Sequence, residues 1–400
     1  MRNRDILIVG AGIAGPTLAC WLARYGFRPT LLERAAAPRT GGYMLDFWGT
    51  GFTVAERMGL LPALRESSYR IRSVQYVDAA ARRVGGFEWR AFEKALGERF
   101  FSILRYDLAQ QLYRAAVQDA EVIHGDSIST LEQDADGVLA GLRSGSQRRF
   151  DLVIGADGLH SDVRRLVFGP HAQYEHALGY RVAAFTADGY ARRDEGIYLC
   201  HNTPGRMLAR YTLRGNRSGF LLAYADPGSQ AGAEPSEATV RESVAALYSG
   251  DGWESAQALG AMRESRDFYC DSVSQTLVPE WAKGRVALLG DACFCPSLLA
   301  GEGSSMAMAG AYILAGELRR ADGEHTTAFA AYQRRFKPFA DGKQRATRSI
   351  GSFMVPRSAS GLWLRNHATA LMSIPWLADW TVGRLVADRL ELPDYERPGA

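Results

Sequence analysis

The chain has 400 residues, enough for two or three domains or one large elaborated one. Lys plus Arg number 47 against 44 Asp plus Glu, so the net charge is +3 and there is no clustered basic footprint for nucleic acid. Hydrophobic residues at 47% and charged residues at 23% exclude global disorder, and five cysteines (20, 200, 270, 293 and 295) are too few and too uneven for a disulfide scaffold.

The cysteine usage points to a reducing, cytoplasmic setting. Cys293-x-Cys295 has no second Cys or His pair nearby, so no metal site is expected.

Residues 5–9, DILIV, form a short β-branched run, as in a buried parallel strand. Helical spacing follows over 13–25 and stops at Gly26, and 29–33 reads as the next strand. The apolar run ILIVGAGIAGPTLACWLA is broken by glycines, so it reads as strand, turn and helix rather than a signal peptide. The spacing predicts a helix over 52–66, strands in 70–88 and 97–104, and an amphipathic helix over 105–119 carrying Leu108, Leu112 and Ala116. Short alternating stretches fill 121–154 and end in another buried strand, LVIG. From 175 to 226, period-two segments bounded by Gly, Pro and Asn predict an antiparallel sheet, followed by a loop at 228–237. RVALLG at 285–290 returns to the buried-strand pattern, and helices are expected over 303–320 and 325–347. The tail, 361–390, carries Trp363, Trp376 and Trp380 and reads as a packed helix pair. Arg365, Pro375 and Asp379 interrupt it, and no transmembrane span is expected anywhere.

Three glycine turns carry the chemistry. Gly10-x-Gly12-x-x-Gly15 follows a strand and opens a helix: the first glycine allows the turn, the second admits a pyrophosphate, and the third lets helix and strand pack. Ile13 and Ala14 start that helix, whose N–H groups face the phosphate. Glu33 closes the second strand, where a carboxylate accepts ribose hydroxyls and repels a 2′-phosphate; Arg34 follows it. GADGLHSDVR (155–164) and GDACF…AGEG (290–303) are the second and third turns. Asp291 suits a polyol hydroxyl, and the helix start after Gly303 would stabilise an anionic ring.

Together these segments resemble the class A flavoprotein monooxygenases, the para-hydroxybenzoate hydroxylase-like group, over roughly residues 4 to 340. Within it, RTGGYMLDFWG, SILRYDL and MAMAGAYILAGEL resemble the short branch that includes tetracycline-inactivating monooxygenases. The resemblance implies an α/β fold: a Rossmann-like FAD-binding domain (1–70, 97–170 and 280–345), an inserted antiparallel-sheet substrate domain (71–96 and 171–279) and a C-terminal helical segment (346–400). It implies bound FAD, with NADH or NADPH as transient co-substrate, since no second dinucleotide motif is present. On this resemblance Gly10, Gly12 and Gly15 hold the FAD pyrophosphate and Glu33 the ribose. Arg105 touches the FAD ribose and phosphate region, Asp157 matches the middle-motif acid, and Asp291 contacts the ribityl and pyrophosphate groups. Gly301, Gly303, Ser304 and Ser305 approach the flavin ring, while Arg39, Gly41 and Gly42 border the mobile flavin. The chain departs from the family at Phe294 (often His), Leu298 (often Pro, here displaced to Pro296), Glu302 (Gln), Ser305 (Asn) and Gly310 (Asp).

The implied reaction is hydroxylation of an aromatic or polyketide-like molecule, tetracycline-type compounds included, by a flavin C4a-hydroperoxide formed from NAD(P)H and dioxygen. No protein nucleophile is evident, so the cofactor carries the chemistry. Arg181, Phe185, Arg210, Phe220 and Tyr224 are candidates for a substrate pocket between the middle sheet and the flavin. Phe220 and Tyr224 share one strand face. Tyr43, Asp46, Trp48 and Leu298 are candidates from the flavin side, and Trp363 and Trp376 for its mouth. The alternatives are a flavin reductase or dehydrogenase without oxygen insertion, and a non-catalytic binding protein on the same fold. A monomer or homodimer is expected.

Overall fold

The computed structural model describes residues 2–37, 41–90, 94, 96–190, 193–228, 236–371 and 390–396. Strands β1 (Asp5–Val9) and β2 (Arg28–Glu33) flank the helix Ala14–Arg24. Next come β3 (Met44–Phe47), β4 (Ser73–Val77), β5 (Arg83–Glu88), β6 (Phe101–Leu104) and β7 (Glu121–His124). Strands β8 (Ile128–Gln133), β9 (Val138–Leu142), β10 (Gln147–Phe150) and β11 (Leu152–Gly155) precede the long β12 (Glu175–Asp188). Then follow β13 (Ile197–Thr203), β14 (Arg206–Leu213), β15 (Arg217–Ala225), β16 (Tyr269–Thr276), β17 (Ala282–Lys283) and β18 (Val286–Leu288).

A six-stranded sheet runs β17-β18-β11-β1-β2-β7, parallel except at its β17 edge. Its strands are apolar runs because helices cover them. Ile6, Leu7 and Ile8 are completely buried. The helices Ala14–Arg24 and Gly303–Arg320 pack with it into the largest core cluster. A seven-stranded sheet, β16-β12-β15-β14-β13-β4-β5, is antiparallel except where β13 meets β4. Strands β3 and β6 form a two-stranded sheet, and β8–β10 a three-stranded one.

The expected helix 52–66 is two helices, Gly49–Arg57 and Leu61–Ser67. Gly59 separates them with φ +75°, a left-handed conformation that ends a helix. The expected strand 70–88 is two strands joined by a turn at Asp78, whose Oδ1 accepts from Ala80 N and Arg82 N. In the tail, a helix spans Ala359–Leu371. The expected helical continuation with Trp376 and Trp380 lies outside the described residues, as do Arg39 and most of the 228–237 loop. No helix among the described residues is long and apolar enough to cross a membrane.

Candidate active site

Three turns close on one another at the carboxyl ends of β1, β11 and β18, which are neighbours in the parallel sheet. Gly10, at φ +105°, lies against the second turn: a Cβ there would stand 2.5 Å from the Ala156 carbonyl oxygen. Gly155 lies against β18, where a Cβ would stand 2.9 Å from Leu288 Cδ2. Gly290 returns to the first helix, with a would-be Cβ 2.9 Å from that of Ala14. Gly15 closes the first turn, since a Cβ would meet the Gly10 carbonyl oxygen at 2.0 Å. Gly12 is different: a Cβ there meets nothing within 4 Å.

This cradle fits a dinucleotide. Open space faces Gly12, the helix behind it has no acidic residue in its first turn, and its free N–H groups attract phosphate. The Glu33 carboxylate accepts from Ala11 N at 2.8 Å and Ala35 N at 2.9 Å, which pins it beside the loop. Arg34 is exposed next to it. Asp157 accepts from Ser161 Oγ at 2.5 Å and Val163 N at 3.1 Å, so it braces the second turn onto the helix Asp162–Val167. Burial raises its carboxyl pKa against those hydrogen bonds.

Arg105 starts the helix Arg105–Ala116 and remains exposed, although charged and phenolic groups flank it. Desolvation by the groups around it disfavours its charge. Tyr43, Tyr269, Asp291 and Asp271 outweigh that and hold the guanidinium above its usual range. Burial pushes Tyr43 up to about 12 and raises Asp291, both opposed by Arg105. Tyr43 and Tyr269 have ring centroids 5.9 Å apart. The Tyr269 hydroxyl donates to Asp271 Oδ2 at 3.2 Å, and His160 Nε2 lies 3.2 Å from Asp271 Oδ1. His160 Nδ1 lies 3.5 Å from the fully buried Glu175 carboxylate. Hydrogen bonds to Asp271 and Glu175 raise the imidazole pKa to about 10. The alternation of Tyr269, Asp271 and Val273 in β16 marked this face in the sequence, but nothing there tied it to Arg105.

After Asp291 the chain turns through Pro296, Ser297 and Leu298. Ser297 has φ +148°, is 2% exposed, and has a buried Oγ without a protein partner. Gly301 takes the left-handed region at φ +68°, and the helix Gly303–Arg320 then begins. Gly303 is close enough to Asp291 that a Cβ would stand 3.5 Å from its Oδ1. Ser304 follows, partly exposed, and Ser305 Oγ donates to the Trp48 carbonyl at 3.1 Å. Glu302 pairs with Lys343 at 2.8 Å, and Lys343 Nζ lies 5.5 Å from the Trp48 ring. The acid that replaces the family amide is therefore neutralised from the helix His325–Thr347.

The seven-stranded sheet corrects the substrate candidates. Arg181, Phe185, Arg210, Phe220 and Tyr224 all lie on one face, fixed by the pairs Arg181↔Tyr224, Phe185↔Phe220 and Arg210↔Phe220. That face packs against the helices Glu237–Tyr248 and Ser255–Glu264, on the side of the sheet opposite Leu298 and Leu299. Phe185 and Phe220 stack at 4.9 Å; Arg210, 1% exposed, pairs with Asp194 and Glu254; and Arg181 pairs with Asp226. All five are engaged by this helix-covered face rather than lining a pocket between the sheet and the Leu298 turn.

The opposite face carries Tyr76, Tyr180, Val182, Cys200, Met207 and Ala209, and Leu298 and Leu299 pack against it. Tyr198 and Tyr211 extend it in T-shaped contact at 5.6 Å. Beside them, Asp46 Oδ1 accepts from Ser102 Oγ at 2.5 Å. Burial lifts the Asp46 carboxyl to about 6 despite that bond. Arg365, 4% exposed on the C-terminal helix, covers Tyr76 with its guanidinium carbon 3.6 Å from the ring centroid, and donates to Asn202 Oδ1 at 3.0 Å. Trp363 is 62% exposed and stacks on His367, with centroids 4.1 Å apart. Among the described residues no His, Cys, Asp and Glu cluster suits a metal.

The fold and the three joined turns define a flavin-dependent oxidoreductase, and the chain belongs to the FAD-binding-domain family, whose model matches residues 3–342. Within that family it is a class A FAD monooxygenase near the tetracycline-destructase branch. It is 34% identical to a flavin-dependent monooxygenase of Legionella longbeachae serogroup 1 (strain NSW150), covering 99% of each chain. It is 40% identical to an uncharacterized protein of Mycobacterium tuberculosis over 85% of this chain and 92% of the other. The crystal structure of tetracycline destructase Tet(51) superposes with a TM-score of 0.84 at 29% identity, covering 98% of this chain and 100% of that one. Tet(55) gives 0.82 at 30% identity, covering 98% and 99%.

Proposed function

We propose that this monooxygenase uses NAD(P)H and dioxygen to hydroxylate an aromatic or polyketide-like small molecule, with tetracycline-type compounds in the candidate class. The observation that carries this reading is the aromatic sheet face, with Tyr76, Tyr180, Tyr198 and Tyr211, set opposite the Leu298 turn that follows Asp291. Such a face suits a flat, ring-bearing substrate.

FAD, when bound, would take the reducing equivalents from NAD(P)H and pass them to dioxygen, so it would supply the oxygen activation. The chain's own residues hold and shield it. The helix start at Ala14 and the space at Gly12 take the pyrophosphate, Glu33 takes the ribose, and Arg105 and Asp291 take the central polar groups. The helix start at Gly303 offers N–H groups to an electron-rich ring. Leu298 and Leu299 keep water from the reacting face. Asp46, with one oxygen held by Ser102, is placed to accept a phenolic or enolic proton from the substrate.

The test is a purified holoprotein incubated with NAD(P)H, a panel of phenols and tetracyclines, and ¹⁸O₂. One labelled oxygen in the product and substrate-stimulated nicotinamide oxidation are expected. Turnover without oxygen would instead establish a dehydrogenase.

A further inference from the structure

The third turn carries a charge pair that the reading above leaves without a role. Glu302 stands immediately before the helix Gly303–Arg320, yet its side chain makes no capping hydrogen bond to that helix. An acid at this place is drawn to the free N–H groups by the helix field. Here Lys343 takes it instead, with Nζ donating to Glu302 Oε1 at 2.8 Å. The N–H groups of the helix start are thereby left to a ligand.

Lys343 belongs to the helix His325–Thr347, and its turn is fixed against the loop that leads to Glu302. Gln344, 4% exposed, donates from Nε2 to the Thr276 and Cys295 carbonyls at 2.7 and 3.0 Å. Its own carbonyl accepts from Gln275 Nε2 at 2.7 Å, and that amide also donates to the Pro296 carbonyl at 2.6 Å. The ammonium lies 5.5 Å from the ring centroids of both Trp48 and Phe339. Trp48, Glu302, Ser305, Met306 and Lys343 share the wall of one small cavity. Both side chains of the pair are mostly buried, so water and salt screen them only in part.

The magnitudes decide what each charge does. A helix start is equivalent to about half a positive charge. A bare carboxylate beside it carries a full negative charge and would reverse the local field. The Lys343 ammonium cancels that carboxylate and restores the positive end.

We infer that the Glu302–Lys343 pair sets the reduction potential of the bound flavin, with Lys343 as a positioning residue that holds Glu302 off the helix start. The inference rests on the reading that the Gly303 helix start faces the flavin ring. A reduced, electron-rich ring gains more from a positive helix end than an oxidised one does, so the pair favours reduction.

The experiment is equilibrium reduction of the FAD-loaded protein against a reference dye, in wild type, Lys343→Met, Lys343→Arg, Glu302→Gln and the Glu302→Gln/Lys343→Met double variant. Lys343→Met should bind reduced flavin about tenfold less well relative to oxidised flavin, a midpoint lower by about 30 mV for two electrons. Glu302→Gln should move the midpoint the other way. The double variant and Lys343→Arg should both return to the wild-type value. A merely structural pair would not give single substitutions of opposite sign that cancel in the double variant. Midpoints that stay at the wild-type value in both single variants, or that fall in both, overturn the inference. Incorporation of one ¹⁸O atom by wild type separates the claims: if it is seen while the midpoints do not move, the pair loses its role and the monooxygenase reading stands. A wild-type protein that retains no flavin ends both.

Discussion

The Phe294 ring fills the space that a side chain at Gly310 would need: a Cβ on Gly310 would stand 2.9 Å from Phe294 Cζ. Both positions depart from the family pattern, and they depart together. Phe294 is 2% exposed and packs against Trp281 and Phe336, each with ring centroids 5.1 Å away. An Asp at 310 would bring a charge into this aromatic cluster. Gly310→Asp is therefore expected to destabilise by about 3 kcal/mol or more, through overpacking and an unpaired buried carboxylate. Gly310→Ala should cost less in a Phe294→Leu background than in wild type. A double-mutant cycle on thermal or urea unfolding measures that coupling, and additive losses would refute the contact.

Gly12 and Gly15 should separate flavin binding from folding. Gly12→Val adds a side chain into open space, so the apoprotein should unfold at nearly the wild-type temperature while flavin retention drops at least tenfold. Gly15→Val drives a Cβ into the Gly10 carbonyl and should lower the apoprotein unfolding temperature itself. Visible absorbance per protein and apoprotein melting curves read the two effects independently.

Asp46 gives a pH signature. Its folded pKa, about 6, lies above its ordinary value of 3.8. The folded state holds the proton more tightly, so the associated stability is present below about pH 4 and is lost as pH rises through 6. Asp46→Asn should therefore be more stable than wild type at pH 7.5, on the order of 2 kcal/mol, with the difference shrinking toward pH 4. Catalysis should move the opposite way. Wild-type kcat/KM should fall on the acid side near pH 6, and the Asn variant should lose that limb together with at least tenfold of the rate.

His160 predicts an alkaline transition. Its folded pKa, about 10, exceeds the ordinary 6.5, so the stability it supplies is complete below pH 6.5 and disappears as pH rises through 10. His160→Gln removes the imidazolium that faces the buried Glu175 and leaves it only the more distant charge of Arg164. It should lower the melting temperature at pH 6.5 and flatten the decline between pH 7 and 10. Equal slopes in both proteins would mean that the imidazole is not charged in the fold.

The glycine turns, the strand and helix that each one joins, and the carboxylates Glu33, Asp157 and Asp291 at their ends are legible in the order of the amino acids. These are local: a turn with positive φ needs glycine, and a buried parallel strand needs an unbroken apolar run. That order also determined that Phe220 and Tyr224 share a face, because strand side chains alternate. It could not determine which face. That was decided by the helices Glu237–Tyr248 and Ser255–Glu264, which cover the Phe220 side and leave the Tyr76 and Cys200 side to the Leu298 turn. The link from His160 through Asp271 and Tyr269 toward Arg105 was likewise set only in three dimensions, because its members come from separate turns and strands. Alternation fixes parity within a strand, but only packing against the rest of the chain gives that parity a direction.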